Sequence, residues 1–393
     1  MNTKKIEGNI WKSYIFQILC GLFFSVPVMV LFWQDNGLSL MEIMILQSLF
    51  SITVVLLEVP TGYFADVFGR RKALIYASFF SFFGFLIYGL SYNFYQFLIA
   101  EIFLAFAISF TSGADSALLY DTLKDLKKED LYKKIWGNIL SYGLVSIAFA
   151  SIIGGFVGKI DLRWTIYLSI PFLALLIPLS FSLKEPKRHK TIFKEGYLFE
   201  LFKTIKYTII KNRKLKWLIV YSGVLLGFNS AALWFYQPYF KISGLDIAYF
   251  GIVFACFNVI AAISSKYAHK IEAAVGQKFS LISLVLITGI SYLLMSNFIY
   301  IFSFSFAFLQ QFVRGFSKPI IEDYINKLTS SEIRATVLSV QNMSSRFFYA
   351  AVIPIIGWIA DIYSLVQALT ILGITTLVFG TVMIIILRKV RVI

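Results

Sequence analysis

Charged side chains are scarce in this chain. They make up 15% of its 393 residues, against 59% hydrophobic. Soluble domains carry about 25% charged and about 45–50% apolar residues, so a water-soluble globular fold is excluded. The two cysteines, Cys20 and Cys256, each sit inside an apolar run. They offer neither a disulfide framework nor metal-ligand spacing and read as small buried hydrophobes. The two histidines, His189 and His269, fall in polar turns. The sequence has no phosphate-binding glycine-rich loop, metal cluster or nucleophile triad. An enzyme is therefore not expected, nor a cofactor or a metal. Acidic residues number 21 against 36 basic ones, a net charge of +15. The basic residues lie in short turns between apolar runs, which is the positive-inside pattern of a membrane protein and excludes a nucleic-acid partner. The alternating ten-residue segments of a membrane barrel are also absent.

Twelve apolar runs are long enough to cross a ~30 Å hydrocarbon core as helices. They cover 11–34, 40–64, 73–91, 94–117, 135–158 and 163–183, then 217–239, 247–268, 279–296, 298–320, 335–360 and 363–387. The basic N-terminal stretch with Lys4, Lys5 and Lys12 resembles a signal peptide. Its apolar run is too long for one and no small-residue cleavage site follows, so it reads as the first span. Alternate loops hold 31 of the 36 basic residues, and the opposite side holds only Lys159, Arg163 and Lys241. That asymmetry places both termini in the cytoplasm.

The expected organisation is an N-terminal six-helix half (1–183), a cytoplasmic linker (184–216) and a C-terminal six-helix half (217–393). The linker is basic, and its pattern from Phe193 to Ile210 fits an amphipathic helix on the inner leaflet or a plain solvated connector. An internal repeat links the halves. At an offset of 207, Gly37 maps to Gly244, Gly69 to Gly276 and Arg71 to Lys278. At 205, Ser112 maps to Ser317 and Asp121 to Asn326. Six spans per half make this a parallel repeat.

One turn stands out. Between spans two and three the chain reads Gly62-x-x-x-Asp66-x-x-Gly69-Arg70-Arg71. This motif, between two six-helix halves of like orientation, resembles the major facilitator superfamily across the whole chain in topology. Ser112-Gly113-Ala114-Asp115-Ser116-Ala117-Leu118-Leu119-Tyr120-Asp121 and Arg334-Ala335-Thr336-Val337-Leu338-Ser339 look like recurring segments of bacterial members. The resemblance is to small drug-efflux-type members, with two departures. Span four has Glu101 and no Arg, and the Gly-Pro expected in span five is missing, although Gly154-Gly155 is present. The resemblance implies that Asp66 faces the opposite half. There it would dock against the start of span eleven when the cytoplasmic side closes, while Arg70 and Arg71 pair locally with Asp121 or Asp125. A simple polar turn with inside anchors is the alternative.

Within the spans, Glu58 and Glu101 are candidate proton carriers, because burial disfavours the charged form of an acid. Arg346 lies about 16 Å inside span eleven, where it pairs with an acid such as Glu58 or attracts an anionic substrate group. Arg314 in span ten poses the same alternatives. The resemblance implies that spans one, four, seven and ten line the cavity, which makes Asn229, Gln310 and Gln311 substrate-contact candidates. Polar residues also glue helices in any bundle. The 41 Phe and 22 Tyr fill the bundle, face lipid or line an aromatic cavity.

The function expected is a secondary transporter of the cell inner (plasma) membrane. It would export a small amphipathic compound or drug by alternating access, with protons as coupling ion and membrane lipids around it. Proton-coupled import of a metabolite or sugar is the alternative. A non-transporting receptor or assembly factor on the same fold is a third class.

Overall fold

A computed structural model describes residues 3–187, 212–330 and 333–393. The linker helix expected between Phe193 and Ile210 lies outside the described residues. The described chain is helical throughout: α1 (Thr3–Gly21), α2 (Met29–Asp35), α3 (Leu40–Phe68), α4 (Arg70–Leu90), α5 (Phe94–Thr111), α6 (Ala114–Asp125), α7 (Tyr132–Ile160), α8 (Leu162–Ser182), α9 (Arg213–Ile242), α10 (Ile247–Asn297), α11 (Ala307–Lys327), α12 (Arg334–Ile362) and α13 (Leu365–Lys389). Among the described residues, ten helical segments are long and apolar enough to cross a membrane. One of them, α10, has 51 residues and is two helices joined where Gly276 leaves helical geometry.

Two of the expected spans are broken. The first stops at Gly21 and resumes through a short 3₁₀ turn, Val26–Val28, with Pro27 inside it. A break frees backbone donors that lipid cannot satisfy, and the Ser169 hydroxyl accepts from the Phe24 amide at 3.1 Å. The fourth breaks between α5 and α6 at Ser112 and Gly113. The tenth span is displaced from its expected bounds of 298–320. A 3₁₀ segment occupies Ile301–Phe306, opened by a reciprocal cap between Tyr300 and Ser303, and α11 starts only at Ala307. α11 then runs on through Lys318, Glu322 and Lys327, so its apolar character is weaker than that of the other helices.

The chain divides into two units. The first holds Met1–Leu38, Leu49–Lys190 and Asp246–Ala255; the second holds Ser39–Ser48, Thr191–Leu245 and Cys256–Ile393. In the first, rings knit neighbouring helices together, for example Phe80 stacked on Phe106 at 4.8 Å and Phe64 edge-on to Phe110 at 5.4 Å. Gly155 crosses the backbone of Ala248 and Gly251 too closely for a Cβ to fit. In the second, the core gathers Leu218, Tyr221, Leu284, Phe316, Ile321 and Leu387. Large apolar side chains such as Leu56, Val145, Phe279 and Val378 are exposed, as they are in a protein surrounded by lipid.

The repeat is visible in the backbone. Gly37 and Gly244 have φ of 84° and 79°. The following amides bond five residues back, Leu38 to the Trp33 carbonyl at 3.1 Å and Leu245 to the Phe240 carbonyl at 3.0 Å. Both helices end in the same left-handed cap.

Candidate functional site

The Gly69 turn is built by the chain around it. Gly69 takes φ 120° and ψ 142° as the cap of α4, a region that side chains other than hydrogen rarely enter. The first turn of a helix presents free N–H groups. Here the Glu185 carboxylate accepts from both the Arg70 amide at 3.0 Å and the Arg71 amide at 2.9 Å. The Arg70 guanidinium pairs with Asp121 and donates to the Ala117 carbonyl at 2.9 Å. Arg71 reaches the Phe181 carbonyl at 2.7 Å. Glu185 is itself held in place. Buried Asn9 accepts from the Lys184 amide at 2.9 Å and donates to the Lys184 carbonyl at 2.8 Å, and Asp125 accepts from the Lys187 amide at 2.7 Å. So Arg70 pairs with Asp121 as the sequence predicts. Arg71 bonds a carbonyl, and Asp125 receives the start of the linker. Glu185 is a residue the sequence reading missed. Its signal is that it is the lone acid between Ser182 and Lys190.

Asp66 is exposed at the end of α3, and among the described residues no hydrogen bond or ion pair ties it down. Gly62 lies within α3, and a Cβ there would meet nothing within 4 Å. One turn deeper, Glu58 is half-buried on the same helix, which Pro60 interrupts.

Glu101 on α5 is 4% exposed and accepts the Tyr88 hydroxyl of α4 at 2.5 Å. Tyr88 is fully buried, with Phe97 at 5.6 Å, Phe85 at 6.1 Å and Trp33 at 6.4 Å between ring centroids. A buried acid is thus bonded to a phenol that rings surround.

In the second unit two neighbouring glutamines part company. A helix turns about 100° per residue, so Gln310 and Gln311 face different ways. Gln310 joins a closed knot: Asn229 donates to its carbonyl at 3.0 Å and to its Oε1 at 2.7 Å, while its Nε2 donates to the Thr288 carbonyl at 3.0 Å. Gln311 donates to the Tyr236 hydroxyl at 3.0 Å, and its buried Oε1 has no hydrogen bond. Arg314, one turn further on, is exposed and donates to Asn258 Oδ1 at 2.9 Å. Asn229 and Gln310 are therefore helix glue in this structure, whereas Gln311 and Arg314 keep open valences. Arg346 on α12 is half-buried.

A second carboxylate cap also escaped the sequence reading. Asp361, near the end of α12, accepts from the Leu40 amide at 3.0 Å and the Met41 amide at 2.7 Å, the first residues of α3. An acid at the end of one helix thus docks on the start of another, the same type of contact the sequence predicts for Asp66.

Comparison with known proteins gives a consistent answer. The chain is 23% identical over 311 residues to an uncharacterized MFS-type transporter of Methanocaldococcus jannaschii, covering 75% of this chain and 76% of that one. It is 22% identical over 346 residues to the uncharacterized MFS-type transporter YxaM of Bacillus subtilis, covering 84% of each. Among solved structures, the nucleoside transporter NupG superposes with a TM-score of 0.79 at 13% identity, over 100% of this chain and 99% of that one. A D-xylose-proton symporter gives 0.68 at 14% identity, over 95% and 96%. The family model described as Major Facilitator Superfamily matches residues 14–347, and with the long apolar helices this makes the chain a multi-pass membrane protein and a transporter of the major facilitator superfamily.

Proposed function

We propose that this transporter works by alternating access and exports a small amphipathic compound in exchange for protons across the cell inner membrane. Twelve spans follow if α10 counts as two and α11 is added to the ten apolar segments. The distribution of basic residues supports cytoplasmic termini. The observation that carries proton coupling is Glu101, an almost fully buried acid inside the first unit, bonded to a phenol. Intramembrane acids are costly and are kept for function. Glu58 is the second candidate on the route, with Arg346 as its expected partner.

The Gly69 turn is the cytoplasmic gate. Asp66 docks on the start of α12 when that side closes, a contact worth ~0.3–2 kcal/mol. The Asp361 cap on Leu40 and Met41 supports this reading by its chemistry.

The test is flux in proteoliposomes under an imposed pH gradient. Substrate moves against the proton flow, and Glu101→Gln loses gradient-driven accumulation while retaining substrate binding. Substrate movement alongside protons replaces export with import. That second reading draws support from the amides of Gln311 and Asn258 beside Arg314, which suit a polar metabolite.

A further inference from the structure

Arg314 in the second unit has no role in the proton-coupled exchange proposed above. It lies within α11 and is exposed, with a single hydrogen bond to a neutral amide oxygen, Asn258 Oδ1, at 2.9 Å. Among the described residues it forms no ion pair. The nearest acid along its helix, Glu322, is 4.0 Å from Lys318 instead. A guanidinium has five N–H donors, and one without a counter-ion in a membrane is costly. Its exposed face therefore belongs to water or to a ligand rather than to lipid.

Beside it stands a second open valence. Gln311 is three residues back on the same helix, hence on the same face. It is 4% exposed, and only one end of its amide is bonded, to Tyr236. Exchanging the amide's O and N would leave the other end open in the same way. Next to these polar groups is a buried aromatic cluster. Phe257 lies 4.9 Å from the Tyr236 ring and 5.8 Å from Phe308, and Phe240 stacks on Tyr236 at 6.1 Å. A guanidinium, a half-used amide and rings together fit a ring-bearing compound with an anionic group. A lipophilic cation would meet Arg314 with no acid in the cluster to offset it.

We propose that Arg314, with Gln311 and Tyr236, forms a subsite for the anionic group of the substrate, and that the transported class is aromatic organic anions. This rests on the transporter reading and names its substrate class. Charged hydrogen bonds to carboxylate are the stronger kind, so the charge of the ligand should be read directly in its affinity.

The experiment uses the full chain in nanodiscs and calorimetric titration with three matched probes: 1-naphthoate, 1-naphthamide and 1-naphthylmethylammonium. Naphthoate should bind about tenfold or more tightly than either of the others. Arg314→Gln should erase that preference, Arg314→Lys should keep part of it, and Gln311→Ala should weaken naphthoate binding by a few-fold. Equal affinities, preference for the ammonium probe, no binding of any probe, or a preference that survives in Arg314→Gln overturns the proposal. If Arg314→Gln does not fold, the wild-type ranking and Arg314→Lys still decide it. Naphthoate preference without naphthoate flux in proteoliposomes leaves the subsite standing and removes the transport reading. Flux of the ammonium probe, unaffected by naphthoate, does the reverse.

Discussion

The Gly69 turn and its repeat at Gly276 share a backbone and differ in how they are fastened. Both glycines leave helical geometry with positive φ, 120° at Gly69 and 78° at Gly276. At the first, Glu185 caps α4 and Asp121 pairs with Arg70. At the second, the position 207 residues after Glu185 is Val392, whose carbonyl accepts the Gln277 side chain at 3.1 Å. Asn326, the counterpart of Asp121, leaves its buried Oδ1 without a hydrogen bond. Asp66 maps to Ala273, while the neighbouring Glu272 accepts the Tyr324 hydroxyl at 2.9 Å. The repeat has kept the steric device and replaced the charges. The ion pair and carboxylate cap of the first turn give way to a neutral amide contact and a carboxylate–phenol bond at the other. The charges, not the bend, are therefore what distinguishes the first turn from its repeat.

Two pairs of substitutions and one single change test that comparison, read as unfolding midpoints in SDS titrations of the purified protein. The largest effect is expected where the two turns are alike. Gly69→Ala and Gly276→Ala should each cost ~1–3 kcal/mol, since both sites demand backbone conformations that alanine rarely adopts. A cost at only one of them breaks the shared-backbone premise. The turns should separate at their caps. Glu185→Ala should cost ~0.5–2 kcal/mol, the worth of a helix cap, whereas Gln277→Ala should stay near ~0.5 kcal/mol, the low end for one neutral hydrogen bond. Equal losses would mean that the charges add nothing. The smallest stability effect is expected at Asp66. Exposed Asp66, changed to Asn, should move the midpoint by less than ~0.5 kcal/mol yet shift cysteine accessibility toward an inward-open state. An unchanged accessibility pattern removes Asp66 from the gate.

Most of the helices were legible because lipid demands long apolar runs, and the repeat was legible because left-handed caps demand glycine at fixed spacing. The tenth span was misplaced for a physical reason. The run from Phe298 to Phe302 is apolar but exposed; Tyr300 and Ser303 cap a 3₁₀ segment there, and the helix proper starts only at Ala307. Single residues were legible by cost: Glu101 and Arg314 stood out because charge in a membrane is rare. Their partners were not. Tyr88 meets Glu101 only because α4 and α5 fold back on each other, and Asn258 meets Arg314 only across two helices. Nor can a sequence show that adjacent Gln310 and Gln311 have opposite fates.

That last separation bears on how such a protein changes over generations. Gln310 is locked by Asn229 and Thr288, so altering it strands several buried partners and taxes folding. Gln311 leaves only Tyr236 behind. With Gln311 in the proposed subsite, new ligand preferences can therefore be sampled one residue away from a position that selection must hold still.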